Sequence, residues 1–173
     1  MVVAAARVDR DTVADIQDFL YREALAIDER RFRDWLSYFA DDATYVVPVR
    51  VSREGLAEWE LSPVSRIFDD NKQTLEIRVK RLETDFAWSE QPPSRTRHNV
   101  SNIIVERTDL ENEYLVSSNS FIYRSRSVDA NPSFYSLARK DTIRRTAEGW
   151  EIARRWAAFD QAMINANNLS IFV

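Results

Sequence analysis

Residues 134–160 read FYSLARKDTIRRTAEGWEIARRWAAFD. Two runs of alternating, β-branched and aromatic residues flank a single Glu148-Gly149 break, the pattern of two strands joined by a tight turn. Strands are therefore expected over 134–146 and 150–160. In the second, Trp150, Ile152, Trp156 and Ala158 share one face by period two. Arg154-Arg155 interrupts that apolar strand, so at least one of the two must pair with a carboxylate or lie in a subunit interface. The mixed-charge run from Arg139 to Arg145 reads as a solvated face or as cross-strand pairs.

Upstream, the same texture continues over about 97–107 and 113–127, with breaks at Asp109 to Asn112 and Asp129 to Pro132. Four successive strands on short turns make an antiparallel meander. The first third of the chain is different. Asp11 can cap a helix running to about Asp28, with Val13, Ile16, Leu20, Ala24 and Ile27 on one stripe and Asp15, Asp18 and Arg22 off it. Phe32, Trp35, Leu36 and Phe39 give a second apolar face for a short helix over 31–39, ended by Ala40-Asp41-Asp42. Thr44 to Val49 reads as a strand that ends, or lies at an edge, at Pro48. Residues 50–68 read as irregular. Asp69 to Leu82 fits both a strand and a helix, and its helix formers and acidic start favour the helix. Gln91-Pro92-Pro93-Ser94 is a loop. Helices first and strands later make one α+β domain over 1–173: three helices packed on a curved, mainly antiparallel sheet. This is the layout of the NTF2-like (cystatin-like) cone, a fold-level analogy. Residues 1–10 are expected to form a flexible or partner-contacting arm.

Composition narrows the function. The chain of 173 residues contains no cysteine and one histidine, His98. Disulfides, thiolate catalysis and iron–sulfur ligation by this chain are excluded. Gly55 and Gly149 are the only glycines, so there is no phosphate-cradling loop and no dinucleotide fingerprint. The net charge of −4 argues against a nucleic-acid surface. No apolar run approaches the roughly 20 residues of a membrane span, and MVVAAARVDRD is too soon charged for a signal peptide. A cytoplasmic location is the expectation. Of the 24 basic residues only three are Lys (Lys72, Lys80, Lys140). Arg suits buried and interfacial pairing better than Lys does.

A cone of this kind can enclose an acid–base site, for which Asp28, Asp41, Asp42 and His98 are the available pieces, with Tyr45 as a donor. Asp41-Asp42 also suits a helix-to-strand junction, and Asp28 a helix end. His98, at a strand start, suits a structural hydrogen-bonding role. Arg95 and Arg97 flank it on one strand face, as an anion site, an interface clamp or a solvated pair. Trp88 is either an interface anchor or a core filler. Ile171-Phe172-Val173 is apolar and expected to pack against another element or subunit.

Several stretches together resemble a known family. These are Tyr21-Arg22-Glu23-Ala24 with Asp28, Trp35-Leu36 before Asp42 and Tyr45–Pro48, and Arg78-Val79 with Arg81-Leu82. There follow residues 87–98 (AWSEQPPSRTRH), Asn102, Arg139-Lys140-Asp141, Asp160, and Asn168-Leu169-Ser170-Ile171-Phe172. From about residue 13 to 173 the chain resembles the β (small) subunits of bacterial Rieske-type aromatic-ring-hydroxylating dioxygenases, particularly the biphenyl and toluene type. The resemblance implies a cone-shaped subunit that is non-catalytic and serves assembly, inactive alone. It implies a β trimer beneath three α subunits in an α3β3 hexamer. The α subunit would carry the Rieske [2Fe–2S] cluster and a mononuclear Fe(II), fed from NADH through a reductase and often a ferredoxin. The complex would add O2 to an aromatic hydrocarbon to give a cis-dihydrodiol. No catalytic, cofactor-binding or metal residue is carried over to this chain. Trp88, Arg95, Arg97, His98, Arg154, Arg155 and Phe172 are the candidate interface residues. The alternatives are an independent isomerase or dehydratase of the same fold, with Asp28 or His98 as base, and a carrier that uses the pocket without chemistry.

Overall fold

The computed structural model describes residues 7–51, 60–84, 92–126, 132–164 and 171–173. Its elements run α1 (Arg10–Asp28), α2 (Phe32–Ser37), β1 (Phe39–Arg50), β2 (Leu61–Asn71), α3 (Lys72–Leu82), β3 (Arg95–Arg107), β4 (Glu113–Ser125), β5 (Ser133–Thr146) and β6 (Gly149–Phe159). The six strands form one sheet in the order β2-β1-β6-β5-β4-β3. Every pair is antiparallel except β1 with β6, which is parallel. The expected α+β class and the β3-to-β6 meander hold.

Asp9, not Asp11, caps α1: its side chain accepts from the Thr12 amide at 2.8 Å. The apolar stripe is as expected, with Ile16, Leu20, Ala24 and Ile27 buried, but it also contains Glu23. Val8 is buried too, so the expected arm over residues 1–10 is already packed at its end. The turn after α1 places Arg30 at φ 58°, a left-handed step in which the Arg30 and Arg31 amides donate back to Ile27 and Ala26.

Four boundaries differ from the sequence reading. α2 stops at Ser37, and Phe39 to Asp42 already belongs to β1. Asp41 and Asp42 are exposed strand residues paired to Lys72 and Arg144, not a helix stop. β1 is an interior strand between β2 and β6, and Pro48 is accommodated because the β1–β2 register shifts on either side of it. The segment expected to be irregular contains β2 over Leu61–Asn71. Finally, α3 begins at Lys72, where Asn71 and Thr74 form a reciprocal capping box.

The β5–β6 register shifts between Thr142 and Ile143, so that Ile143 faces Ile152 while Thr142 faces Arg154. Ala153 is the extra residue, a β-bulge that swaps the faces of β6. Ile152 points inward before it, and Arg155, Ala157 and Phe159 after it, all fully buried or nearly so. Trp156 and Ala158 therefore do not share the face of Ile152, and Arg154 is exposed while Arg155 is not.

Candidate functional site

The deepest polar feature is a buried ionic cluster between α1 and the inner face of β5 and β6. Glu23, Asp141 and Arg155 are 0% exposed and Arg139 is 2% exposed. The Arg155 guanidinium donates to both oxygens of Asp141 at 2.9 and 3.1 Å and to both oxygens of Glu23 at 2.7 and 3.3 Å. It also donates to the Val173 carbonyl at 3.0 Å. Trp35 Nε1 donates to Glu23 at 2.6 Å. Burial works against the charged form of Glu23, but Arg155 and then Arg139 outweigh it and hold its carboxyl below the usual range. Burial likewise opposes charge on Arg155, and its two carboxylates overcome this and raise its pKa. Tyr45 lies beside the cluster. It donates to the Val173 carbonyl and accepts from the Val173 amide, and burial pushes its phenol up to about 12. A phenol held in this way is an anchor for residue 173 and not a proton donor for chemistry at neutral pH.

A second feature is a cavity of about 280 Å3, walled by Ile27, Phe32, Leu82 and Phe172, with Arg30 and Glu83 also lining it. His98 is on its wall, with a side chain only 1% exposed. Its Nδ1 lies 2.6 Å from Asp28 Oδ1 and its Nε2 3.1 Å from the Phe172 carbonyl. Asp28 also accepts from the His98 amide and the Thr96 hydroxyl. Burial would raise the Asp28 pKa, but the hydrogen bond and charge of His98 lower it overall. The structure thus brings Asp28 and His98 together and engages both fully. Asp41 and Asp42 are outside, and Tyr45 is in the ionic cluster.

Glu23 and Asp28 have pKa values lowered in the fold, so at pH values near the ordinary carboxylate pKa of about 4 the unfolded chain binds more protons than the native one. Their contribution is complete above that pH and is lost as pH falls through their folded values. Denaturant unfolding should therefore show steady stability at neutral pH and a decline beginning near pH 4 to 5. A flat profile down to pH 3 would contradict the pairings.

The outer face of the sheet carries a third feature. Arg97 on β3 pairs with Tyr123 on β4, which pairs with Phe134 on β5, so the three share one outward row. Phe134 is 50% and Phe121 46% exposed, with ring centroids 5.7 Å apart, and Tyr123 lies 5.5 Å from Phe134. Arg95, Arg97 and Arg154 are exposed. By contrast Arg155, Phe172 and the His98 side chain, expected among interface residues, are turned inward: their partners are Glu23 and Asp141, Trp35, and Asp28. Trp88 lies outside the described residues. Phe121 and Phe134 escaped the sequence reading. The signal was available, since Val116, Ile122, Tyr135 and Leu137 fix the inner parity of these strands and leave three aromatics, Phe121, Tyr123 and Phe134, on the outer one.

Among the described residues, no group of three or more His, Cys, Asp or Glu could hold a metal ion, and no helix is long and apolar enough to cross a membrane.

Comparison with known proteins gives a consistent set of likenesses. The family described as ring hydroxylating beta subunit matches residues 22–166. The chain is 38% identical to the 3-phenylpropionate/cinnamic acid dioxygenase subunit beta of Photorhabdus laumondii, covering 95% of this chain and 93% of that one. It is 37% identical to the biphenyl 2,3-dioxygenase subunit beta of Rhodococcus jostii, covering 96% and 91%. A solved structure of naphthalene 1,2-dioxygenase with indole bound superposes with a TM-score of 0.86 over 96% of this chain and 88% of that one, at 20% identity, a likeness of fold.

Proposed function

Because the chain belongs to the ring-hydroxylating dioxygenase β subunit family, we propose that it is the non-catalytic assembly subunit of an oxidoreductase complex that adds O2 to an aromatic hydrocarbon. The observation that carries the assembly role is the closure of the Asp28–His98 pair. Each imidazole nitrogen is held by an acceptor from the chain itself, so neither residue is left to take or give a proton to a substrate. The independent isomerase or dehydratase reading loses its base on the same ground.

The redox chemistry belongs, in this reading, to a larger α subunit. A Rieske cluster needs two Cys and two His, and an oxygen-activating iron needs two His and a carboxylate. With no Cys and one His, committed to Asp28 and Phe172, this chain does not fit either group. Electrons would come from NADH through a reductase, with or without a ferredoxin. The product would be a cis-dihydrodiol, the assembly an α3β3 hexamer on a β trimer, and the location cytoplasmic.

The outward row of Arg97, Tyr123 and Phe134, with Phe121, Arg95 and Arg154, is the surface proposed for subunit contact. Aromatics and Arg are the residue types that dominate binding energy at interfaces. The test is co-expression with candidate large subunits from the same source. The chain alone should show no turnover, and the pair should co-purify as an iron-containing, active complex. Phe134→Glu combined with Arg97→Glu should abolish co-purification while leaving the stability of the isolated chain within about 0.5 kcal/mol, as surface changes do. Turnover by the isolated chain would overturn the assembly role. Undiminished co-purification of the double variant would overturn the assigned surface.

A further inference from the structure

We infer that the inner face of the β4–β5 ladder carries a buried site for a small carboxylate, formate to acetate in size, bound by Arg139 with Ser118, Ser120 and Tyr135. These four residues are 4% exposed or less. The Ser118 and Ser120 hydroxyls, the Tyr135 phenol and two guanidinium nitrogens of Arg139, Nε and Nη2, are buried and make no hydrogen bond within the protein. Strand register gathers them: Ser118 sits opposite Arg139, and Ser120 sits opposite Leu137, the inward residue between Arg139 and Tyr135.

A core that needed only packing would carry Ala, Val or Phe at these positions, because an unpartnered buried hydroxyl is costlier than an apolar group of the same shape. Nε–H and Nη2–H are the two parallel donors on one edge of the guanidinium, spaced to meet both oxygens of a carboxylate. The protein's own carboxylates make no hydrogen bond to that edge, although Asp141 forms an ion pair at Nε. Asp141 Oδ2 lies 3.2 Å from Arg139 Nε without forming a hydrogen bond, and Glu23 Oε2 is 3.7 Å from Nη1. Both are committed to Arg155. Burial, and then the neighbouring Arg155 charge, lower the Arg139 pKa although Asp141 and Glu23 act to raise it. A carboxylate can accept from both parallel donors of the guanidinium edge and from the hydroxyls at once, which a single water cannot. Val116, Ile122 and Leu137 border the polar atoms on the same face, which limits the ligand to one small oxyanion.

The site is separate from the assembly surface, and its test does not depend on a partner. The full chain is titrated with sodium formate, acetate and benzoate against sodium chloride at matched ionic strength, read by calorimetry and thermal shift. Formate and acetate should bind saturably and raise Tm, and benzoate should not. Ser118→Ala with Ser120→Ala keeps every ion pair and should weaken formate binding about tenfold, the worth of one to two hydrogen bonds. Arg139→Met should abolish it, and if that variant does not fold the serine double variant decides. Three outcomes would each overturn the site: a formate response equal to chloride, an undiminished response in the serine double variant, or a crystal structure grown in formate with only water on Arg139 Nε and Nη2. Benzoate binding as tight as formate would overturn it as well, by placing the binding at the surface.

Discussion

Arg155→Met should destabilise the chain by about 3–5 kcal/mol, the range found when one member of a buried ion pair is removed and the other left behind. The magnitude follows from what remains. Arg155 is 0% exposed and donates to Glu23, Asp141 and the Val173 carbonyl. Without it, two fully buried carboxylates face one cation, Arg139, which forms no hydrogen bond to either through Nε or Nη2. At least one carboxyl would have to take up a proton or drag water inward. Tyr45 would keep the end of the chain, so the native topology has a second anchor and the loss should appear as a lower denaturation midpoint rather than a new fold. The informative partner is the variant in which Glu23, Asp141, Arg139 and Arg155 are all replaced by apolar residues of similar volume. It should fall near wild-type stability or above it, because the desolvation of four charges is no longer required. Equilibrium denaturation of both decides the matter. A cost below about 1 kcal/mol for Arg155→Met would mean that the cluster is not the tie between α1 and the sheet that the geometry describes.

How far sequence alone reached depended on whether an element carries its own period. α1 and the strands β3 to β6 have it, and they were placed to within a few residues. β2 does not. Leu61 to Asn71 has no alternation and contains Pro63, and it is a strand because Thr44 to Arg50 pairs with it, information that no window of sequence holds. Asp41 and Asp42 misled for a related reason: two acids after an apolar helix face look like a stop, yet here they are exposed strand positions bonded to Lys72 and Arg144. The sequence required a partner for one of Arg154 and Arg155 but could not say which, because the bulge at Ala153 reverses parity between Ile152 and Arg155. Glu23 was the clearest missed signal. It lies three residues from Leu20 and four from Ile27, inside a stripe otherwise apolar, and an acid there calls for a buried cation. The Asp28–His98 pair was named only as loose pieces, since its members are 70 residues apart and the third partner, Phe172, is 74 residues beyond His98.

Phe172→Ala should cost about 3–5 kcal/mol, as for other buried Phe truncations, a large share of the stability of a domain this size. The Phe172 ring is 3% exposed, with its centroid 4.0 Å from that of Trp35 and 5.7 Å from that of Phe32. The Arg78 guanidinium lies 5.1 Å from it. These contacts join α2, α3 and the closing residues where no backbone ladder can. Phe172 also walls the cavity beside His98, so the space its ring vacates would open onto an existing void, and the surroundings have little reason to collapse around it. His98→Ala removes a different link from the same place, the bridge from Asp28 to the Phe172 carbonyl. It should cost less, about 1–3 kcal/mol, the price of leaving buried polar partners unsatisfied. The order of the two separates packing from polar closure as the main force holding residues 171–173 on the cone. Urea midpoints for Phe172→Ala, His98→Ala and their combination read it directly. Because the two act on adjacent atoms of one residue, the double variant should cost less than the sum of the singles. Strict additivity would mean that the ring and the carbonyl of Phe172 are held independently, and that the tail is two anchors rather than one.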